Sequence, residues 1–161
     1  MAFISIILGL FTLDICIKGA IEAQDGKDFP KRLGGEKGKI ILHKNHNPGF
    51  SFGFLQEKKH LVQMVPLAVT SAFAGVFFWL LPKKGQNMEK LALSVTLGGA
   101  LSNLYDRLVR GHVIDYFSID VKKLKKVVFN LGDLFIFLGA GMMLLTESLH
   151  SLYNLKQNIK K

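Results

Sequence analysis

The chain has 161 residues, of which 49% are hydrophobic and 20% are charged, and its formal net charge at pH 7 is +9. This length fits a single domain, residues 1–161, and the positive mean hydropathy of so charged a chain requires that its apolar residues be gathered into blocks. The positive charge favours contact with anionic lipid headgroups over nucleic acid, because the sequence contains no recognisable nucleic-acid-binding motif.

Four apolar blocks predict membrane-spanning helices, so the chain is expected to be an all-α membrane protein. The clearest block runs from Leu61 to Leu81, contains no charged residue, and is about as long as a helix that crosses ~30 Å of hydrocarbon. The other three blocks carry polar residues within or near their ends. The predicted spans are residues 2–21, 61–81, 91–109 and 127–149, which puts both termini on the same side of the membrane.

The polar loop between the first two spans, residues 22–60, is expected to be extracytoplasmic and to contain a small β segment. Residues 40–42 predict a short strand, and residues 47–49, Asn-Pro-Gly, predict a turn. The phenylalanines in residues 50–54 alternate with small residues, which would place three aromatic side chains on one face of an extended segment. Packing within a small sheet is the simpler interpretation of these aromatic side chains.

Small residues recur along the third predicted span. Ser94, Gly98 and Ser102 are spaced four residues apart and therefore lie along one helical face. Small side chains at this spacing allow another helix backbone to come close, which is how helices associate in lipid. The pattern predicts close helix packing at this face.

Most polar residues of the predicted spans gather on one side of the membrane. Asn103, Asp106 and Arg107 stand at i, i+3 and i+4 and share one helical face near the end of the third span. Asn130 and Asp133 share a face at the start of the fourth span, which lies on the same side. With residues of the neighbouring loops, this set comprises Asn47, Gly49, Asn103, Asp106, Arg107, Asp115, Asn130 and Asp133.

Structural roles are open for several of these polar residues. Asp106 and Arg107 could form an ion pair at the end of a helix. Asn103 and Asn130 could donate hydrogen bonds between helices.

Asp14, Lys18 and Glu147 are predicted to lie apart from this set, with Asp14 and Glu147 deeper in their spans. Asp14 and Lys18 stand at i and i+4, so that they most simply neutralise each other.

Asp115 and Asp133 are harder to explain as structural residues, because neither has an obvious basic partner within one helical turn. Two carboxyl groups held a few ångströms apart cannot both ionise easily, and one of them keeps its proton. Such a pair offers a base and an acid at once, which is the equipment for hydrolysing an amide without a metal ion. The sequence leaves open which aspartate plays which role.

Five motifs resemble those of one family, in the same order and within the same four-span arrangement: "LDICIK", "NPGFSFG", "GGALSNLYDR", "GHVIDYF" and "FNLGD". In these segments the chain resembles the lipoprotein signal peptidases, also called signal peptidase II, which are aspartic peptidases of bacterial membranes. The resemblance covers nearly the whole chain.

The resemblance implies a role for each matching polar residue. Asp115 and Asp133 would be the catalytic dyad. The residues around the substrate would be Asn47, Gly49, Asn103, Arg107 and Asn130. The supporting polar residues would be Asp14, Lys18 and Asp106.

The resemblance also implies an activity and a location. Members of this family remove the signal peptide from diacylglyceryl-modified prolipoproteins by cutting just before the lipidated cysteine. The chain would then lie in the bacterial cytoplasmic membrane, with its active site on the extracytoplasmic side and both termini in the cytoplasm. Membrane lipids and globomycin-type inhibitors are expected partners, nucleic acid is not, and we expect a monomer. No cofactor or metal ion is expected, since His43 and His46 lack acidic or cysteine partners nearby.

The sequence departs from the family pattern at a few positions. Ile15 stands where glutamine is usual, Ser51 where alanine is common, Ser102 where glycine is common, and Gly132 where alanine is usual. None of these departures removes a carboxylate, so they bear on substrate preference more than on activity.

The distribution of basic residues opposes the orientation that the family implies. The loop 22–60 contains eight basic residues and residues 110–126 contain five, whereas the loop 82–90 and the tail 156–161 contain three each. The positive-inside rule therefore predicts the opposite orientation. We retain the family's orientation because its lipidated substrate is cut at the outer leaflet, and extracytoplasmic lysines can bind anionic headgroups.

Two other functions remain open from the sequence. The chain could be a non-catalytic relative that binds lipidated peptides. It could also be a small proton-coupled transporter subunit, in which Asp14 and Glu147 would matter as much as the pair of aspartates.

Overall fold

The computed structural model describes residues 1–35, 38–50, 56–121 and 126–159. Its long helices are α1 (Ala2–Glu22), α2 (Lys59–Leu80), α3 (Asn87–Tyr105) and α4 (Leu131–Ile159). A π-helical turn, Asp106–Arg110, continues α3, and a short 3-10 helix occupies Gly26–Asp28. The strands β1 (Lys31–Leu33), β2 (Ile40–Asn47) and β3 (Val113–Ile119) form one antiparallel sheet in that order.

Of the helices in these described ranges, three are long and apolar enough to cross a membrane, judged by length and composition: Ala2–Glu22, Lys59–Leu80 and Leu131–Asn158. They correspond to the first, second and fourth predicted spans. The third predicted span corresponds to α3 and its π-helical turn, which do not meet that measure. A fourth crossing therefore stays a prediction. The helix α4 begins later than predicted, at Leu131, and continues past the predicted end to Ile159.

The weaker apolar character of α3 has a structural explanation. This helix contacts α1, α2 and α4, and residues 92–99 are all buried. Leu93 and Leu97 pack with Ile7 of α1 and with Phe77 of α2 in one apolar cluster. Because protein rather than lipid surrounds α3, its side chains can be small and polar without meeting hydrocarbon.

Small residues on α3 allow two helices to approach it closely. A Cβ atom at Gly98 would lie 2.8 Å from Cβ of Leu10 in α1, and one at Gly99 would lie 3.0 Å from Cβ of Phe135 in α4. Ser94 and Ser102, on the same face as Gly98, are fully buried. The close helix packing predicted from this spacing is confirmed.

Gly139 of α4 lies in the same kind of contact, from the other side of the interface. A Cβ atom there would lie 2.6 Å from the carbonyl oxygen of Ala92 and would also clash with Thr96. We expect Gly139→Ala to lower the free energy of unfolding by about 1–3 kcal/mol, as measured by thermal unfolding in detergent micelles. Gly141→Ala is the matched control, because its Cβ would meet no atom within 4 Å and alanine favours the helix by about 1 kcal/mol. Equal melting temperatures for the two variants would contradict this account.

The sheet is larger than the sequence predicts. The strand expected at residues 40–42 extends to Asn47, and the predicted turn follows with a hydrogen bond of 3.0 Å from the Gly49 N–H to Oδ1 of Asn47. The strand β3, between α3 and α4, was not predicted at all, and the fold is not purely α-helical. The predicted aromatic alternation falls largely on residues 51–55, outside the described residues.

The position of β3 follows from its partners. It pairs with β2, which lies more than 60 residues earlier in the chain, with Asn47 opposite Val113 and Asn45 opposite Asp115. Its first six residues are all buried, so the alternation of polar and apolar residues that marks a half-buried strand is missing. Since β3 joins the end of α3 to the start of α4, the sheet lies at the end of the bundle where both meet.

Candidate active site

Asp115 and Asp133 line one cavity of about 400 Å³, together with Asn47, Asn103 and Arg107. The strand β3 carries Asp115, whose residue surface is only 5% exposed, and the first turn of α4 carries Asp133. The structure thus brings five of the eight residues of the predicted set to one cavity, from β2, α3, the π-helical turn, β3 and α4.

Asn130 bridges the two carboxylates. Its side-chain amide donates to Oδ1 of Asp115 at 2.8 Å, and its backbone N–H donates to Oδ2 of Asp133 at 3.2 Å. The Asp133 N–H in turn donates to Oδ1 of Asn130 at 2.9 Å. This reciprocal pair is the hydrogen-bonding pattern of a capping box at a helix N-terminus. One residue therefore starts α4 and fixes the position of its Asp133 relative to β3.

Asn130 was expected inside the fourth span, on one helical face with Asp133. That placement is wrong: Asn130 precedes α4, and as a capping residue it bonds to the first turn of the helix and to β3. Asn103 does hydrogen-bond between helices, from α3 to α1 and α4.

The second oxygen of each carboxylate accepts a further amide N–H. Asn47 donates to Oδ2 of Asp115 at 3.0 Å, and Asn103 donates to Oδ1 of Asp133 at 2.9 Å. Burial, followed by the nearby charge of Asp133, raises the pKa of Asp115 to about 6. Near neutral pH, a larger fraction of Asp115 is therefore protonated than of an ordinary aspartate.

Arg107 anchors the part of the first loop that follows β2 beside the cavity. Its Nη1 donates to the carbonyl oxygen of Gly49 at 2.9 Å, and its guanidinium lies 5.3 Å from the centre of the Phe50 ring. The ion pair between Arg107 and Asp106, left open by the sequence, is not among the ion pairs of the described residues. Asp106 pairs instead with Lys18, at 3.0 Å, and with Arg110, because the π-helical turn directs its carboxylate away from the cavity and toward α1.

Asp14 and Lys18 were predicted to lie apart from the site, and this is wrong. They form the expected i, i+4 pair at 2.8 Å, but Lys18 also donates to Oδ1 of Asn103 at 2.9 Å and to Oγ of Ser102 at 3.1 Å. A local signal was present, since Lys18 stands one turn before the end of α1 at Glu22. That end of α1 lies on the same side of the bundle as the end of α3.

Glu147 does lie apart from the site. It is exposed on α4, 14 residues beyond Asp133, which corresponds to roughly 20 Å along a helix.

Sequence reasoning missed two contributors to this region. Ser102, singled out only for its size, donates to Oδ2 of Asp14 at 2.6 Å. Tyr116 donates to Oδ1 of Asp14 at 3.0 Å and accepts the Leu131 N–H at 3.0 Å, so that it ties β3 to α1 and α4. Burial raises the pKa of Tyr116, which keeps its hydroxyl protonated. The only signal in the sequence was a tyrosine directly after Asp115 in an apolar run.

Comparisons with known proteins agree with this architecture. The family model of signal peptidase (SPase) II matches residues 6–149. A lipoprotein signal peptidase of Caldicellulosiruptor bescii is 34% identical over 146 residues, covering 91% of this chain and 89% of that protein. One from Alteromonas mediterranea is 35% identical over 102 residues, covering 62% of this chain. That match spans only 56% of the Alteromonas protein.

A solved structure of a bacterial membrane enzyme has the same fold. It superposes with a TM-score of 0.77 over 93% of this chain and 89% of that one, at 18% sequence identity. The fold and the family model agree over the segments that carry the cavity residues. The chain belongs to the signal peptidase II family.

Proposed function

We propose that this protein is a membrane aspartic endopeptidase that removes the signal peptide from diacylglyceryl-modified prolipoproteins, cutting before the lipidated cysteine. The observation that carries the proposal is the pair of carboxylates, Asp115 and Asp133, held in one cavity by the bridging Asn130. Membership of the signal peptidase II family supports the peptide substrate, and the apolar helices support a location in the membrane.

In the proposed reaction, Asp133 begins ionised and Asp115 begins protonated. Asp133 takes a proton from a water molecule, whose oxygen attacks the scissile carbonyl carbon, while Asp115 gives its proton to the carbonyl oxygen. Asp133 then passes its proton to the amide nitrogen, and Asp115 recovers one from the tetrahedral diol as the C–N bond breaks. The products are a carboxylic acid and an amine, and the dyad returns to its starting state.

The contacts of the two residues support this assignment of roles. Asp133 lies in the first turn of α4 and accepts a backbone N–H, where the helix dipole favours a negative charge. Asp115 is buried on β3, and its raised pKa gives it a larger fraction of the protonated form that an acid needs than an ordinary aspartate has.

The residues that the family resemblance places around the substrate divide into two groups. The amides of Asn47, Asn103 and Asn130 already donate to the carboxylates, so we assign them to holding the dyad. Arg107 and Gly49 connect the π-helical turn to the first loop beside the cavity, and we assign them to the substrate-facing wall.

The proposed position of the cavity also suits a substrate that is anchored by a lipid. The cavity lies at the ends of α1 and α3 and at the start of α4, where a substrate anchored by its lipid would present its scissile bond. We propose that this end faces the extracytoplasmic side, with the termini in the cytoplasm. We also propose that the protein acts as a monomer, and that globomycin-type inhibitors occupy the same cavity.

The direct test is cleavage of a purified diacylglyceryl-modified precursor by the purified protein in lipid or detergent. Mass spectrometry of the products is expected to find the signal peptide and a mature protein that begins with the lipidated cysteine. No cleavage, or cleavage at another bond, would contradict the proposed function.

The pH dependence of the same reaction tests the role of Asp115. As an acid it must be protonated, so activity is present below its pKa of about 6 and is lost as the pH rises through that value. We expect kcat/KM to fall about tenfold for each pH unit above this point, measured between about pH 5 and about pH 9. The observed value belongs to the dyad as a coupled pair. A kcat/KM that stays level or rises over this range would contradict the assignment of Asp115 as the acid.

A further inference from the structure

We propose that Lys18 is a positioning residue for the catalytic dyad. From inside a buried ion cluster on α1, it fixes the side-chain amide of Asn103 so that the N–H group of this amide, and not its oxygen, faces Asp133. This inference rests on the proposed peptidase function, because it concerns the geometry of the same dyad.

The surroundings of Lys18 are unusual for a lysine. Its side chain is fully buried, and its Nζ atom lies within 3.1 Å of four oxygen atoms. These belong to Asp14, Asp106, Ser102 and Asn103, at 2.8, 3.0, 3.1 and 2.9 Å. An ammonium group has three N–H donors and no acceptor, so every one of these contacts requires an oxygen on the partner.

Charge neutralisation alone does not account for the contact with Asn103. Within the cluster, Lys18 and Arg110 balance Asp14 and Asp106, through Lys18 contacts with both acids and an Arg110 contact with Asp106. These ion pairs would be complete without a neutral amide. The bond from Lys18 to Asn103 is therefore additional to the neutralisation of the cluster, and it connects the cluster to the cavity.

The orientation of the Asn103 amide follows from this bond. An asparagine amide carries an oxygen on one side and an NH₂ group on the other, and rotation by about 180° exchanges them. Because Lys18 can only donate, it holds Oδ1 of Asn103 toward α1. The NH₂ group must then point toward α4, where it donates to Oδ1 of Asp133 at 2.9 Å.

The opposite orientation would place two oxygen atoms against each other at the dyad. Asp133 would lose one of its N–H donors and would face the negative end of an amide dipole, while Asp115 and Arg107 on the other sides of the cavity would be unchanged. The attacking water would then meet a base that is less well held and less stabilised in its charged form. We therefore expect Lys18 to act on kcat through Asn103, with little effect on substrate binding.

The test uses the paired substitution Asp14→Asn and Lys18→Met. It removes one positive and one negative charge together and leaves the Asp106–Arg110 pair intact. In the cleavage assay with lipidated precursor we expect kcat to fall about 10–100-fold, as for a small misplacement of a reacting group, with KM changed by less than about threefold.

A double-mutant cycle then separates positioning from general damage. Adding Asn103→Leu to the paired substitution is expected to give the same kcat as Asn103→Leu alone. The charges of Lys18 and Asp14 act on Asp133 in opposite senses and are removed together, and the contact through Asn103 is already lost. Losses that simply add would overturn the proposal. Arg110→Met is the matched control: it removes a cation from the same buried Asp106 without touching Asn103. It is expected to lower the melting temperature and to leave kcat within about threefold.

The outcomes distinguish this inference from the proposed function. If the unmodified protein does not cleave the precursor, the peptidase assignment fails. If it cleaves and the paired variant has the same kcat, the role of Lys18 fails and the peptidase assignment stands. If the paired variant shows no cooperative unfolding transition, it is not folded, and the pair Asp14→Asn and Lys18→Gln is used instead. Glutamine keeps an N–H donor for Asn103, so kcat above that of Asn103→Leu is expected, and an equal kcat overturns the proposal.

Discussion

Replacing either aspartate of the dyad with asparagine is expected to abolish measurable cleavage of a lipidated precursor. Asp115→Asn removes the acid and Asp133→Asn removes the base, and each of these proton-transfer roles contributes about 10²–10⁴-fold to the rate. The shape of the side chain is preserved, so binding of the precursor is expected to remain. The measurements are single-turnover cleavage and, separately, retention of the precursor by the purified variant.

Two controls keep this result interpretable. Each asparagine turns one carboxylate oxygen into an NH₂ group that faces an amide donor, such as Asn47 at Asp115, so thermal unfolding must show that the variant is folded. Asp120→Asn alters an aspartate just after the end of β3 that pairs with Arg32, away from the cavity. Its rate is expected to stay within about twofold of the parent, as for a substitution distant from the site.

Undiminished turnover in either dyad variant would end the aspartic peptidase assignment. If cleavage is absent in the parent protein as well, and lipidated precursor still binds, the chain is a non-catalytic relative. If the chain were a transporter subunit, Glu147→Gln would lower its activity as much as the dyad variants do. We expect Glu147→Gln to have no effect on cleavage, because Glu147 lies exposed on α4 far from the cavity.

A diacylglyceryl group on the precursor is expected to raise kcat/KM by at least about 10²-fold. Burying one acyl chain gives a membrane association constant of about 10⁴ M⁻¹, and two chains give more. A lipidated precursor is thus expected to be concentrated in the bilayer, close to the cavity at the ends of α1 and α3 in the proposed arrangement. The measurement compares one precursor with and without the lipid on its cysteine, at equal concentration in liposomes.

The lipid effect has its own control and contrary outcome. A lipidated precursor incubated with the Asp133→Asn variant shows how much loss occurs without the dyad. Equal kcat/KM for the lipidated and unmodified precursors would show that the lipid is not recognised. In that case the enzyme would be a peptidase of a broader substrate class, and the cut before the lipidated cysteine would no longer follow.

The amino-acid sequence by itself was enough to predict three apolar helices and several of the polar residues that line the cavity. The segment from Leu61 to Leu81 contains no charge, and it is stabilised by leaving water. Its composition alone therefore predicts a membrane-spanning helix. The cost of placing polar groups in hydrocarbon likewise singled out Asn103, Arg107, Asp115 and Asp133, and the structure gathers these residues around one cavity.

Only the tertiary structure decided how these residues meet. The strand β3 forms because β2, far earlier in the chain, supplies its hydrogen bonds. Asn130 became a helix cap that reaches Asp115, and no local pattern contains that contact.

The contacts of Lys18 were likewise decided by the tertiary structure. Its i, i+4 pair with Asp14 was visible in the sequence, but its contacts with Asn103 and Asp106 required α1 and α3 to be packed side by side. The physical reason is general: hydrophobicity and helical spacing are properties of neighbouring residues. The partner of a buried charge, in contrast, is chosen by whichever distant segment packing brings within hydrogen-bond distance.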